Sequence, residues 1–161
     1  MTDWPLEIAG SEAIIRGICT PYHVTTNGKL KPEAFSPTPD TDRVSVMRHD
    51  WIGTEACRRH AKALSNPEKN KVYRGLAVMS ASQIRNTKAD VFDSRELFDG
   101  HADIRHGFIV KRGDPLPPKD ILTMRERNKK LAKIAAYYPD PDLSAGCWLG
   151  QPLRPKPATN S

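Results

Sequence analysis

The chain has 161 residues, 38% of them apolar and 14 of them proline, with a net charge of +6 from 25 Lys and Arg against 19 Asp and Glu. That length suits one domain burying roughly two-thirds of the surface its unfolded chain exposes, and the many prolines point to long irregular connections. The three scattered cysteines, Cys19, Cys57 and Cys147, exclude a secreted disulfide framework, and no export leader or run of about 18 apolar residues is visible, so a cytoplasmic protein without membrane contact is expected.

Glu12 to Cys19 is rich in β-branched residues and stops before Thr20-Pro21, which predicts a buried strand. Residues 21–42 read as loop, with Asn27-Gly28 as a tight turn and Pro32, Pro37 and Pro39 breaking regular structure. Arg43 to His49 alternates, with Val44, Val46 and Arg48 on one face and Ser45, Met47 and His49 on the other. A helix follows over 54–64, with Thr54 as N-cap, Cys57, Ala61 and Leu64 on one face, and Asn66-Pro67 as its stop. Lys71 to Met79 predicts a third strand, Ser80 to Arg85 a short helical turn, and Ala89 to Phe92 a short strand. His101 to Lys111 follows as a further polar strand. The longest helix spans 119–138, introduced by Pro117-Pro118, with Ile121, Met124, Leu131, Ala135 and Tyr138 along one stripe. Trp148, between Gly146 and Gly150, is expected to tuck back onto the domain. The fold expected is therefore α+β. A mixed or mostly antiparallel sheet of four to five strands is packed by two main helices, with one domain over 1–150 and a flexible Pro-rich tail over 151–161.

Titratable groups concentrate in one place, Gly100-His101-Ala102-Asp103-Ile104-Arg105-His106-Gly107. Strand alternation puts His101, Asp103 and Arg105 on one face and sends Ala102, Ile104 and His106 to the core. That split opposes a three-ligand metal site. It leaves a His101–Asp103 pair in which the carboxylate orients the imidazole and raises its basicity, with Arg105 beside it as a candidate catalytic group. Cys57 and His60, three apart on the helix, make only half of a zinc site, so no metal is assigned. Neither a Gly-x-Ser-x-Gly elbow nor a phosphate-cradling or dinucleotide-binding glycine motif occurs.

Arg16, Arg48 and Arg74 lie in or at the ends of apolar strands, where a guanidinium must be paired or bound. Together with Arg105 they are candidates for an anion-binding pocket. The Arg-Gly strand followed by Arg43-Val44-Ser45-Val46 resembles, over about a dozen positions, the layout of ADP-ribosyltransferases. In that family a first strand carries a ring- or phosphate-holding residue and a later strand a serine. The resemblance implies NAD as a substrate with Arg16 or Arg74 as phosphate clamp, and no acidic catalytic residue of that family can be matched. No cofactor is otherwise indicated.

Charge is uneven along the chain: residues 1–100 hold 14 Lys and Arg against 13 Asp and Glu, and residues 101–161 hold 11 against 6. Arg125, Lys129 and Lys133 form a stripe on the last helix, with Arg127 and Lys130 beside it. Such a face can track a phosphate backbone, which gains from counterion release. The expected function is a nucleic-acid-associated protein, an RNA- or DNA-acting hydrolase or toxin-like effector working through His101 and Asp103. The alternatives are a non-enzymatic subunit docking on a protein partner through helix 119–138, and the NAD-using transferase.

Overall fold

The computed structural model describes residues 4–157. Six strands form one antiparallel sheet: β1 (Ala13–Thr20), β2 (Thr41–Arg48), β3 (Val72–Ser80), β4 (Asp90–Asp93), β5 (His101–Val110) and β6 (Ala136–Pro139), in the order β4-β5-β2-β1-β3-β6. Helix α1 (His49–Lys62) covers one face, and α2 (Ala81–Asn86), α3 (Pro118–Ile134) and a 3₁₀ turn at Pro32–Phe35 cover the other. Strand alternation produces this division directly. Ile14, Ile18, Val44, Val46 and Ile104 meet Phe35, Ile84 and Leu131 on the α3 side. Ile15, Met47, Leu76 and Val78 meet Cys57 and Ala61 on the α1 side. The α+β class thus agrees with the sequence reading, but the sheet has one strand more than the four to five expected and there are three helices.

The extra strand comes out of the long C-terminal helix, which ends at Ile134 instead of running to Tyr138. Ala135 is extended (ψ 137°), and Ala136 to Pro139 pair with Gly75 to Val78 of β3. Tyr137 and Tyr138 fit a pleated surface well, and edge pairing outweighs continuation of the helix. Gly75 permits it, because a Cβ there would collide with the Tyr138 carbonyl oxygen and lie 2.9 Å from Pro139 Cα. Helix α1 begins five residues before the expected Thr54 because a single turn, 49–52, joins the main helix through a kink at Gly53 (φ 81°). Thr54 sits just past that kink and its Oγ1 bonds His49 Nε2 at 2.8 Å. At the short helix α2 the Ser80 hydroxyl and the Gln83 side chain form a complete capping box.

The stretch 151–157, expected to trail, lies against the body. Leu153 is buried with the α1-side core, the Tyr138 hydroxyl donates to Arg154 O, and Lys156 Nζ donates to Lys133 O. Residues 158–161 of the expected tail lie outside the described residues. Trp148 packs onto the same core and donates from Nε1 to Gln151 O. Among the described residues no helix is long and apolar enough to cross a membrane.

Candidate active site

The antiparallel register builds a polar grid at the β4-β5-β2 end of the sheet, on the α1 side. Met47 pairs with His101, Ser45 pairs with Asp103, and Phe92 of β4 pairs with Asp103 from the opposite edge. His101, Asp103 and Arg105 do share one face, as alternation requires, while Ala102, Ile104 and His106 are buried on the other. His106 Nε2 bonds Phe35 O at 2.8 Å, and burial pushes its pKa down.

The His101 imidazole is almost wholly buried and both of its nitrogens are engaged by hydroxyls. Nε2 lies 2.6 Å from Ser45 Oγ and Nδ1 lies 2.6 Å from Ser94 Oγ. Ser45 reaches it diagonally across the β2–β5 ladder, a spacing within side-chain reach. Ser94 reaches it because the β4–β5 connection closes on itself: Ser94 N donates to His101 O and His101 N donates to Phe98 O, each at 3.0 Å. The carboxylate expected to orient the ring is not bonded to it: both nitrogens of His101 are taken by the hydroxyls of Ser45 and Ser94.

The ring is also held by packing. Phe98 meets it edge-on at 4.9 Å, and His60 of α1 stacks on the far side of Phe98 at 3.7 Å. Burial, then the nearby Arg59 and His101, lower the His60 pKa. Ser45 and His101 open onto a cleft of about 230 Å³ walled by Gly17, Met47, Leu64 and Phe98, with the exposed Leu97 at its mouth. The cleft lies where β1 and β2 part. Their register couples Ile14 with Arg48 and Ile15 with Met47 and then stops, and beyond it the Arg16 guanidinium donates to Ser45 O at 3.0 Å and to Ala34 O at 2.9 Å.

The four arginines expected to share an anion pocket are dispersed. Arg16 is the bridge just described. Arg48 is wholly buried between Glu12 (2.6 Å) and Asp93 (2.6 Å). Arg105 lies 3.6 Å from Asp42 and over the Phe92 ring. Arg74 is exposed on β3, bonded to Thr20 Oγ1. Arg16 is thus tied to two backbone carbonyls while Arg74 stands exposed on another strand.

On α3, Arg125, Lys129, Lys130 and Lys133 are exposed, Lys129 lying 3.7 Å from Glu126, whereas Arg127 is buried and donates to Thr87 O and His106 O. Among the described residues no three His, Cys, Asp or Glu side chains converge as a metal site would require. Cys57, with its thiol pushed up to about 12 by burial, is a core residue.

Ser45 stands in the sequence on the face of an alternating strand shared with Met47 and His49, but its tie to His101 spans 56 residues and comes from the β2–β5 pairing. Ser94 carries no sequence signal at all. Searches against protein-family models, curated proteins and solved structures find no match.

Proposed function

We propose that the protein is a serine hydrolase or acyltransferase in which Ser45 is the nucleophile, His101 the general base and Ser94 the residue that orients the imidazole. One observation carries the reading: a buried histidine joins two hydroxyls at 2.6 Å each, and one of these opens onto an apolar cleft. A serine hydroxyl is a weak nucleophile until a base accepts its proton, and the base works only in the tautomer whose Nε2 is unprotonated. Here Nδ1–H donates to Ser94 Oγ while Nε2 accepts from Ser45 Oγ–H. As Oγ attacks a carbonyl carbon, its proton passes to Nε2. The leaving group takes that proton as its bond to the acyl carbon breaks, and water then repeats the step on the acyl-serine. Incubation with a small alkyl fluorophosphonate, followed by intact-mass measurement, tests the reading. Wild type should gain one phosphonyl adduct located on Ser45, and Ser45→Ala should gain none. An unlabelled wild type, or equal labelling of Ser45→Ala, refutes it.

A second reading concerns partners. Lys130 and Lys133 of α3 rim, with Lys156, a cleft of about 540 Å³ beside the end of α2, and Lys88 borders the adjoining one. This face supports binding of RNA or DNA through phosphate contacts, with affinity that falls steeply between low and moderate salt. No binding at low salt sinks it and leaves α3 as a surface for a protein partner.

A further inference from the structure

We infer that Asp103 is the recognition point for a substrate ammonium group, so that the Ser45 site takes α-amino acyl esters or amides with a free amine and one small aliphatic side chain. The inference rests on Ser45 as the nucleophile and adds what that nucleophile attacks. Asp103 is only 8% exposed and among the described residues enters no ion pair, while its carboxylate oxygens are not among the buried atoms left without a partner and so keep contact with solvent. A carboxylate in such a largely covered position with no cation beside it gains from an ammonium brought to its open oxygens, because the low local dielectric strengthens the attraction. The neighbouring cations make no ion pair with it. Arg105, two residues along the strand, lies 3.6 Å from Asp42 and over the Phe92 ring with its buried Nε making no hydrogen bond, and Arg48 is held between Glu12 and Asp93.

Position gives the vacancy its meaning. Asp103 is the direct cross-strand partner of Ser45, which places the two Cβ atoms about 4.5–5.5 Å apart on the same face. In an α-amino acyl group a single carbon separates the ammonium from the carbonyl. A substrate lying along this row therefore sets its ammonium at Asp103 as its carbonyl meets Ser45 Oγ. Its side chain then enters the 230 Å³ cleft, whose walls at Met47, Leu64, Leu97 and Phe98 are apolar and which has room for one such group. Asp103 transfers no proton in this scheme. Ser45 Oγ bonds to the carbonyl carbon, its proton goes through His101 to the departing alcohol or amine, and water releases the free amino acid.

The test uses two diphenyl 1-amino-2-methylpropylphosphonate probes, one with a free amine and one N-acetylated. Each phosphonylates an active serine with loss of phenol and reports by intact mass. The free-amine probe should label wild type at least about tenfold faster, the value of a hydrogen bond between charged groups. Asp103→Asn should bring the two rates together, and Asp103→Glu should restore part of the difference. Equal rates in wild type, or a faster N-acetyl probe, overturn the inference while Ser45 stands as nucleophile, and this comparison needs no variant to fold. A preference that survives in Asp103→Asn overturns it too. Failure of both probes to label wild type, or labelling of Ser45→Ala, removes the nucleophile and this inference with it.

Discussion

Replacing Arg48 with Met should be the most damaging single change on the α3 side of the sheet. Its side chain is fully buried, and its guanidinium donates through Nε and Nη2 to Glu12 at 2.6 and 2.8 Å and through Nη1 to Asp93 and to Pro5 O at 2.6 and 2.7 Å. The two carboxylates fare differently when it is lost. Asp93 keeps Arg95 at 2.8 Å, whereas Glu12, 6% exposed, loses its only ion-pair partner among the described residues. Breaking a buried pair from one side costs about 3–5 kcal/mol because a charge is left without compensation. In a domain of this size each kcal/mol shifts the thermal midpoint by about 2–4 °C, so a fall of roughly 6–20 °C is expected. Urea unfolding followed by tryptophan fluorescence measures it, with Trp51 only 5.6 Å from the guanidinium as a local reporter. Adding Glu12→Gln to Arg48→Met should recover part of the loss by removing the orphaned charge. A cost below about 1 kcal/mol, or a double variant no more stable than Arg48→Met, would refute the reasoning.

Ser94→Ala should slow phosphonylation of Ser45 by about ten- to a hundredfold, the value of a buried hydrogen bond to an imidazole that must become charged, while leaving the adduct on the same residue; an unchanged rate would show that Ser94 orients nothing. His23, whose Nδ1 accepts from Cys19 N–H at 3.1 Å, is pushed down to about 3 by burial, then by Arg16 and Lys71. The unfolded chain therefore binds this proton first as pH falls. Stability that is complete above about pH 6.5 should drop by up to about 1.4 kcal/mol per pH unit towards pH 3, and His23→Gln should flatten that part of the profile in chemical denaturation. Gly75→Ala should lower the thermal midpoint, at a cost of about 1–3 kcal/mol, because the new Cβ meets backbone that cannot rotate away. Gly146→Ala, with nothing within 4 Å, should leave the midpoint close to wild type and serves as the control.

What the sequence discloses here follows how local the cause is. The alternation of β2 and β5 and the helical stripes of α1 and α3 depend on neighbours a few residues away, and those elements fall close to where the pattern puts them. The face shared by His101, Asp103 and Arg105 is of this kind. The bond from His101 to Ser45 depends on which strands become neighbours, and the bond to Ser94 on how one connection closes, so neither leaves a local trace. Arg48 looked available for an anion because its acids, Glu12 and Asp93, are 36 and 45 residues away. Tyr137 and Tyr138 carried an ambiguous signal, equally suited to a helix stripe and to a strand, and only the bare Gly75 surface of β3 decides between them. Ile-Arg-Gly at 15–17 and Tyr-Arg-Gly at 73–75 share the Arg-Gly pair, and each glycine admits a close neighbour. At Gly17 that neighbour is Ala61 of α1, whose Cβ would lie 2.9 Å from an added methyl.

The early end of the β1–β2 register divides the sheet mechanically. β4, β5 and β2 form one continuous ladder, β1, β3 and β6 form another, and the seam between them is stitched by Ile14–Arg48, Ile15–Met47 and the Arg16 side chain reaching across to Ser45 O. The seam is closed at the Ile14–Ile15 end and open between Gly17 and Ser45, where the cleft begins. Ser45, His101, Ser94 and Asp103 all stand on the β4-β5-β2 side of it. Gly17 of β1 and Leu64 beyond the end of α1 wall the cleft from elsewhere, so the residues that set the size of what enters are not those that set the geometry of what reacts.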